Sequence, residues 1–366
     1  MAESRLRALQ RPTRDRFQEW LSASAPTQSP DPRFEVRRVR PSEFEMVYDL
    51  VDSVFGVKRP RPLYDWLYRR NPFGLARCWI TVERASGRPI GSNALWPWPC
   101  ARDGERREAV LGGDTVLIPE WQRQGLSARR DVVSRSYPWW SSTIAVGWPN
   151  EKTRGALRKR GRAEQFAARV PHAILPLRGR GVGAAAMAAT LVGAVLAGWQ
   201  RGALREDFAG AIEPVRRFDA AFDAVTAGCA AADSLWFPHG ADFLNWRYLE
   251  HPTHEYVALA AHGDDGLAGY CVVRVDGERG WLMELVAPPR QPAVRALLQR
   301  AVATARQAGC TRLNALAGPS WPHWLLLRSA GFIRGRPWPL FVHAPSEPSA
   351  TSAESWQLSP GDVDGL

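Results

Sequence analysis

The stretch from Gly112 to Leu126 reads Gly-Gly-Asp-Thr-Val-Leu-Ile-Pro-Glu-Trp-Gln-Arg-Gln-Gly-Leu, and it predicts a strand, a turn and the start of a helix. Val116–Ile118 is a run of β-branched and apolar residues, which is typical of a buried strand. Pro119 ends this strand, because proline has no N–H to donate to a ladder. A polar turn with a single glycine, Gly125, then leads into a helical stretch.

This turn is a candidate anion site. A glycine-bearing turn at the start of a helix leaves several backbone N–H groups without partners, and the helix dipole adds positive potential there. Arg123 contributes a full positive charge to the same turn. The residues alone therefore predict a place where a phosphate group binds.

The pattern resembles the pyrophosphate-binding signature of the GNAT superfamily, the acyl-CoA-dependent N-acyltransferases: a strand ending in Pro, then Gln/Arg-x-x-Gly-x-Gly/Ala. Gln122 opens the pattern and Gly125 is its central glycine, whereas Ser127 departs from the usual final Gly or Ala. An ordinary strand–turn–helix with a surface arginine is the alternative. The resemblance implies acetyl-CoA or another acyl-CoA as co-substrate, no metal, and a cofactor site formed by Val116, Leu117, Ile118, Gln122, Arg123, Gln124, Gly125, Leu126 and Ser127.

The order of predicted elements extends the resemblance over roughly residues 34–345. Residues 34–177 read as strand, two helices, three antiparallel strands, helix, strand, helix, strand, and the chain then repeats this order. Asp65–Pro72 and Asn245–Pro252 share the spacing Trp-x-Tyr-x-x-x-Pro. After Val286 the second copy reads Ala-Pro-Pro-Arg-Gln-Pro, whose prolines remove N–H donors. We therefore expect the second copy to line the acceptor pocket or hold a homodimer together rather than bind CoA.

The expected fold class is α/β (α+β), with two tandem GNAT-like domains. Each domain is predicted to have a mixed, mostly antiparallel central sheet flanked by helices. The predicted boundaries are a flexible N-terminal tail (1–32), a first domain with the acyl-CoA site (33–178), an Ala/Gly-rich linker helix (179–206), a degenerate second domain (207–345) and a C-terminal tail (346–366).

Acyl transfer from a thioester to an amine requires a group that accepts the amine proton. In the family a carboxylate just upstream on the motif strand often does this, which implies Asp114; the alternative is that Asp114 caps a turn at Gly112-Gly113. Asn150 resembles the family's Pro-Asn step and could bond pantetheine or acceptor, although asparagine is also a strong helix cap.

The family's frequent general-acid tyrosine is missing, because Arg158 stands at its expected position. An arginine does not release a proton at neutral pH. The thiolate proton must then come from water or from a tyrosine elsewhere, of which Tyr137 and Tyr68 are the candidates.

Composition constrains the partners. A formal charge of +11 over 366 residues favours anionic partners, and the 17 tryptophans suit stacking on a saccharide amine, although core packing also explains them.

The acceptor is expected to be a small or saccharide-linked amine. A catalytically inactive tandem-GNAT binding or scaffold protein is the second hypothesis. A nucleic-acid-binding protein is the third, supported by charge alone, and nucleic acid is not the expected partner.

Five widely spaced cysteines argue for a reducing, cytoplasmic compartment and against a zinc site or disulfide framework. Val182–Trp199 carries no charge and reaches the lower length limit of a membrane span. Because Ala and Gly dominate it, a connector helix is favoured and membrane contact is the minority alternative.

Overall fold

The protein is represented by a computed structural model that describes residues 9, 14–22, 31–127, 133, 137–159, 169–177, 198, 208–231, 233–289, 291–316, 321 and 323–363. Within them the helices are α1 (Arg14–Ser22), α2 (Phe44–Phe55), α3 (Arg61–Tyr68), α4 (Glu151–Lys159), α5 (Ala220–Gly228), α6 (Ala241–Leu244), α7 (Pro292–Gln307) and α8 (Trp324–Ser329).

The strands of the N-terminal half are β1 (Phe34–Arg38), β2 (Arg77–Glu83), β3 (Pro89–Pro97), β4 (Cys100–Arg102), β5 (Glu105–Arg107), β6 (Ala109–Leu117), β7 (Ile144–Gly147), β8 (Arg169–Val170) and β9 (His172–Pro176). The C-terminal half contributes β10 (Ala211–Pro214), β11 (Leu235–Trp236), β12 (Tyr256–Gly263), β13 (Gly266–Asp276), β14 (Arg279–Val286), β15 (Arg312–Leu316), β16 (Ile333–Arg334), β17 (Trp338–Pro339), β18 (Phe341–His343) and β19 (Trp356–Gln357).

Two large sheets share one topology. The first has the order β1-β2-β3-β6-β7-β18 and the second β10-β12-β13-β14-β15-β9-β16. In both, the fourth and fifth strands are parallel and the other pairs among the first six strands are antiparallel. Helix α2 lies against the first sheet, α3 contacts that sheet through Tyr68, and α7 lies against the second sheet. The predicted class, α/β with mostly antiparallel sheets flanked by helices, is confirmed.

The sixth strand of each sheet comes from the other half of the chain. Strand β9 pairs with β15 in the second sheet, and β18 near the C-terminus pairs with β7 in the first. The predicted boundary at residue 178 therefore does not separate the sheets, because the strand that ends the first repeat lies in the second. This exchange joins the halves by backbone hydrogen bonds.

The repeated Trp-x-Tyr motif lies at the contact between the halves. The rings of Trp66 and Trp246 stack with their centroids 4.3 Å apart. The Trp66 indole N–H donates to the carbonyl of Trp246 at 2.8 Å, and the Trp246 indole N–H donates to that of Trp66 at 3.0 Å. Arg70 and Glu250, also at matching positions, form a 3.3 Å ion pair. The two motifs thus meet through reciprocal contacts.

Described parts of both predicted tails pack against the rest of the chain. Helix α1 lies within the predicted tail 1–32, yet Phe17 and Trp20 are buried, and the Trp20 ring packs edge-on against Trp79 at 5.2 Å. In the predicted tail 346–366, Trp356 is buried and β19 pairs with β11. The described parts of these segments therefore add aromatic side chains to the core, and the flexibility of the two tails remains a prediction.

The predicted linker helix 179–206 lies outside the described residues apart from Gly198, so it remains a prediction. Among the helices that the structure describes, none has both the length and the apolar character to cross a membrane.

Candidate active site

Strands β6 and β7 separate at the centre of the first sheet. They are paired in parallel only from Ala109–Leu111 to Ile144–Val146, while β6 continues to Leu117. Beyond this point the only strand that pairs with β6, among the residues that the structure describes, is the antiparallel β3. The far half of β6 therefore presents an open backbone edge to the space between the diverging strands.

The open edge can be assigned residue by residue. The Ile118 N–H points towards β3, where it donates to the Ile90 carbonyl at 2.9 Å. Neighbouring residues of a strand point their backbone groups in opposite directions, so Leu117 faces the open edge. The Gln122 side-chain amide confirms this direction by donating to the Leu117 carbonyl at 2.8 Å. Of the three strand residues predicted to bind pantetheine, Leu117 offers its backbone N–H here, whereas Val116 and Ile118 face β3.

The turn after β6 is exposed and has the backbone geometry of an anion-binding loop. Arg123 and Gly125 both have positive φ, 65° and 78°. No hydrogen bond within the described part of the chain uses the N–H groups of Arg123, Gln124 or Gly125. Leu126 and Ser127 begin a helix, as predicted. The turn therefore places unengaged N–H groups and the Arg123 charge at a helix N-terminus.

Asp114 lies at a bulge in β6 and is almost completely buried. The register with β3 shifts between Ser92 and Ala94, and Asp114 itself has φ 42°, in the left-handed region. Gly112-Gly113 forms part of β6, so the alternative role of Asp114 as a cap for a turn there is wrong.

Two side chains hold the Asp114 carboxylate. Its Oδ1 accepts a hydrogen bond from the Arg59 guanidinium at 2.8 Å, and its Oδ2 accepts one from the Tyr68 hydroxyl at 2.8 Å. Tyr68 is fully buried; burial, followed by the nearby Asp114 charge, raises the pKa of its phenol far above the usual value. Tyr68 therefore acts as a hydrogen-bond donor to Asp114 and is a poor proton source for a leaving thiolate.

Tyr137, the other candidate acid, lies elsewhere. It is buried in a cluster with Trp79, Leu95 and Val110. The face of the sheet that carries the Asp114 side chain and Tyr68 is formed instead by alternate residues of the same strands, Cys78, Ala94 and Leu111. Since side chains alternate between the faces of a sheet, Tyr137 is on the opposite face from Tyr68. The structure thus brings Tyr68, not Tyr137, to the carboxylate.

Asn150 follows β7, where that strand diverges from β6. Its Oδ1 accepts a hydrogen bond from the Thr153 N–H at 2.9 Å, so its predicted role as the cap of α4 is confirmed. Trp148, two residues before Asn150, is half-buried, and its indole N–H donates to the Asp362 carbonyl at 3.0 Å. Contact of the Asn150 amide with a substrate remains a prediction.

Comparisons with protein-family models and with curated proteins find no match. Solved structures do match. A probable N-acyltransferase of unknown function from Enterococcus faecalis aligns with a TM-score of 0.59 at 12% identity, covering 85% of this chain and 72% of that one. A GCN5-related N-acetyltransferase from Anabaena variabilis aligns with a TM-score of 0.58 at 11% identity, covering 86% and 73%.

The chain has the GNAT fold. Saccharomyces cerevisiae N-myristoyltransferase, solved with bound myristoyl-CoA, also matches, with a TM-score of 0.52 at 10% identity over 88% of this chain and 86% of that one. The open edge of β6 and the turn at Gly125 lie in and beside the first sheet of this fold.

The second sheet diverges at the corresponding place. Strands β14 and β15 pair only from Arg279–Trp281 to Arg312–Asn314. Just beyond lies Glu284, which accepts a 2.6 Å hydrogen bond from the hydroxyl of Tyr248, as Asp114 does from Tyr68. Each carboxylate is thus held by the tyrosine of a Trp-x-Tyr motif, Tyr68 in the first half and Tyr248 in the second.

Unlike Asp114, Glu284 lies in a network with the C-terminal segment. Its Oε1 is 2.8 Å from Nδ1 of His239, and Nε2 of the same ring is 2.8 Å from Oδ1 of Asp362. Burial alone would lower the pKa of His239. The nearby Glu284 and Asp362 carboxyl groups have the larger, opposite effect and raise this pKa to about 10. Burial raises the pKa of Asp362 despite the opposing His239 charge. The His239 ring, in hydrogen-bond contact with both carboxyl groups, thus joins the C-terminal segment to β14.

Proposed function

We propose that this chain is an acyl-CoA-dependent N-acyltransferase. It moves an acetyl group from acetyl-CoA directly to a primary amine of a small molecule or an amino sugar. The observation that carries the proposal is the continuity of two features on one segment: the open edge at Leu117 and, five to eight residues later, the exposed turn with its unengaged N–H groups.

The residues of this segment suit the two ends of the co-substrate. The turn from Gln122 to Ser127 and the Arg123 charge would hold the pyrophosphate, and the edge of β6 would hydrogen-bond the amide-containing pantetheine arm. The co-substrate supplies an activated thioester. In the reaction a C–N bond forms, the C–S bond breaks, one amine proton passes to a base and the departing thiolate takes up a proton.

The acceptor is proposed to approach at the end of β7. Trp148 and Trp338 are both half-buried there, with ring centroids 6.2 Å apart. Aromatic faces at the edge of a site suit the apolar face of an amino sugar or of another amine that contains a ring. This placement supports the amine class.

A matched pair of glycines tests the turn. Gly125 and Gly87 have similar positive φ values, 78° and 68°, and an added Cβ would contact nothing within 4 Å at either position. Each Gly→Ala change should thus cost about 1–2 kcal/mol of conformational strain, but only Gly125→Ala should weaken acetyl-CoA binding, by roughly 10-fold. Gly125→Pro, which also removes an N–H, should abolish binding. Calorimetric titration of the four proteins measures this.

Equal weakening by Gly87→Ala, or wild-type affinity in folded Gly125→Pro, would assign no binding role to the turn. A folded wild-type protein that does not bind acetyl-CoA contradicts the enzyme proposal. Binding without turnover across a panel of primary amines would support the inactive binding protein instead.

Asp114 is proposed as the proton acceptor, and Asp114→Asn tests this role. Asparagine keeps an oxygen that can accept the hydrogen bond from Arg59. Its amide N–H can donate to the oxygen of the Tyr68 hydroxyl, so the bulge should persist. We expect kcat to fall about 100-fold or more, the usual effect of losing a general base, with little change in acetyl-CoA affinity. Both carboxylate oxygens already accept a hydrogen bond, so an amine must share one of them. A decrease below about 10-fold would give Asp114 a structural role only.

A further inference from the structure

A further residue is repeated together with the Trp-x-Tyr motif. Arg59 lies nine positions before Tyr68, and His239 lies nine positions before Tyr248. Each stands two residues before the first residue of a helix, Arg59 before α3 and His239 before α6. The two halves therefore place a nitrogen-bearing side chain at the same point of the same local structure.

Each of these side chains contacts the carboxylate that its tyrosine holds. Nη1 of Arg59 is 2.8 Å from Oδ1 of Asp114, and Nδ1 of His239 is 2.8 Å from Oε1 of Glu284. Both carboxylates lie beside a register shift, Asp114 in the pairing of β3 with β6 and Glu284 in that of β13 with β14. The chain thus contains the same arrangement of an acid, a tyrosine and a nitrogen-bearing side chain twice.

In the second half the C-terminal segment covers this arrangement. The Ser359 hydroxyl donates to Oε1 of Glu284 at 3.1 Å. An oxygen of Asp362 is 2.8 Å from Nε2 of His239, the ring nitrogen that does not contact Glu284. A Cβ on Gly361 would lie 2.4 Å from Oε1 of Glu284, so the segment packs directly on the carboxylate. The second half thus binds a hydrogen-bond donor at its acid and a carboxylate at its nitrogen-bearing side chain.

In the first half no described residue covers the corresponding position. The Arg59 side chain is 34% exposed, whereas that of Asp114 is 4% exposed. Nε and Nη2, which form one side of the planar Arg59 guanidinium, have no hydrogen bond to any residue that the structure describes. The Phe55 and Tyr64 rings lie 5.5 Å from the guanidinium and hold it beside Asp114. Arg59 therefore presents an unused edge next to a buried carboxylate.

The charges around Arg59 favour a ligand that carries both signs. Carboxylates of α2 surround Arg61, two residues further along the chain, and these are Glu45, Asp49 and Asp52. A lone anion at Arg59 would be repelled by these negative charges. An amino acid is a zwitterion at neutral pH, so its ammonium group complements Asp114 while its carboxylate complements Arg59. The Arg59–Asp114 pair therefore favours a dipolar molecule.

We propose that the acceptor is an amino acid or a related zwitterionic amine. Its carboxylate binds the Nε–Nη2 edge of Arg59 through two parallel N–H···O bonds, a geometry that suits a guanidinium. Its amine hydrogen-bonds the Asp114 carboxylate, as the Ser359 hydroxyl hydrogen-bonds Glu284. Oε1 of Glu284 makes three such contacts at once, so a third donor at Asp114 has a precedent in this chain. The proposal rests on the acyltransferase activity proposed above and names its acceptor class, with Arg59 as the residue that determines specificity.

Matched pairs of acceptors test this class with the full-length protein. The probes are glycine and the other common α-amino acids, each compared with its carboxamide, with acetyl-CoA as donor and release of free CoA as the signal. At least one amino acid should have a kcat/KM at least about 10-fold above that of its amide, because hydrogen bonds between charged groups are worth that factor or more. The difference should lie in KM, since the carboxylate is bound equally in the ground state and the transition state.

Arg59→Gln should reduce this preference by about 10-fold, to a ratio near one. Arg69→Gln is the matched control, because the Arg69 side chain is also 34% exposed and forms one ion pair, with Asp65 at 2.9 Å. It should keep the wild-type ratio. A merely structural role of Arg59 would lower kcat/KM for the amino acid and for its amide together and would leave their ratio unchanged.

The proposal is overturned if amides are acetylated as well as every amino acid, or if folded Arg59→Gln keeps the wild-type ratio. An equal loss in Arg69→Gln would also overturn it, because the effect would then be one of net charge. Circular dichroism establishes folding, and calorimetric titration gives the acetyl-CoA affinity of each protein. A wild type that binds acetyl-CoA and acetylates only amines without a carboxylate removes this proposal and keeps the acyltransferase. A wild type that binds no acetyl-CoA, or acetylates no amine, removes both.

Discussion

Fragments 1–206 and 207–366, expressed separately, are expected to give neither half in folded form. The first fragment lacks β18, which pairs with β7, and the second lacks β9, which lies between β15 and β16. Each fragment would also expose one member of the Trp66–Trp246 pair, whose side chains are 3% exposed in the intact chain. Burying a tryptophan of about 200 Å² contributes on the order of 5 kcal/mol, a large share of the usual 5–15 kcal/mol of domain stability.

Thermal unfolding and amide NMR spectra of each fragment measure this prediction. The matched control is co-expression of both fragments, which restores every strand and should yield a complex that co-purifies and unfolds cooperatively. Cooperative unfolding of either fragment alone would contradict the prediction and would show that the halves are independent domains at the predicted boundaries. The exchanged strands would then be dispensable to each sheet.

Much of the fold follows from local sequence. Proline at 119 and the apolar run before it place the end of β6 to within one residue, since these effects act between neighbours. The shared Trp-x-Tyr spacing identifies corresponding positions, and the structure brings the two motifs together through Trp66 and Trp246. Periodicity and turn residues are thus sufficient for the elements and for their order.

The contacts of the candidate site could not be predicted in the same way. Tyr68 and Asp114 are 46 positions apart, and no local pattern specifies that a tyrosine at the end of α3 meets a bulge in β6. The exchange of β9 and β18 depends on backbone hydrogen bonds, which carry little side-chain information. The sequence Ser359-Pro-Gly-Asp362 resembles a solvent-exposed turn, yet it docks because Asp362 meets His239. Long-range pairing determines each of these features.

Two adjacent glycines of β6 are expected to respond in opposite ways to alanine. A Cβ at Gly113 would lie 2.1 and 2.2 Å from ring atoms of the buried Trp96, whereas one at Gly112 would make ordinary contacts at 3.5 and 3.6 Å with Leu95 and Val146. Gly113→Ala should therefore lower the free energy of unfolding by about 3 kcal/mol, the upper range for overpacking. Gly112→Ala should be neutral or stabilise by up to about 1 kcal/mol, because alanine has less backbone freedom to lose.

Urea denaturation of both variants measures the difference, and a second substitution tests its cause. Trp96 contacts the Tyr68 ring edge-on at 5.9 Å, so a displaced indole would also disturb the phenol that holds Asp114. Trp96→Phe removes the outer ring atoms that the new Cβ meets. In the double variant, Gly113→Ala should thus cost at least about 1 kcal/mol less than in the wild-type background, since contacting residues couple by such amounts. Additive losses would show that Trp96 is not the obstacle, and would place the need for glycine in the backbone beside the bulge.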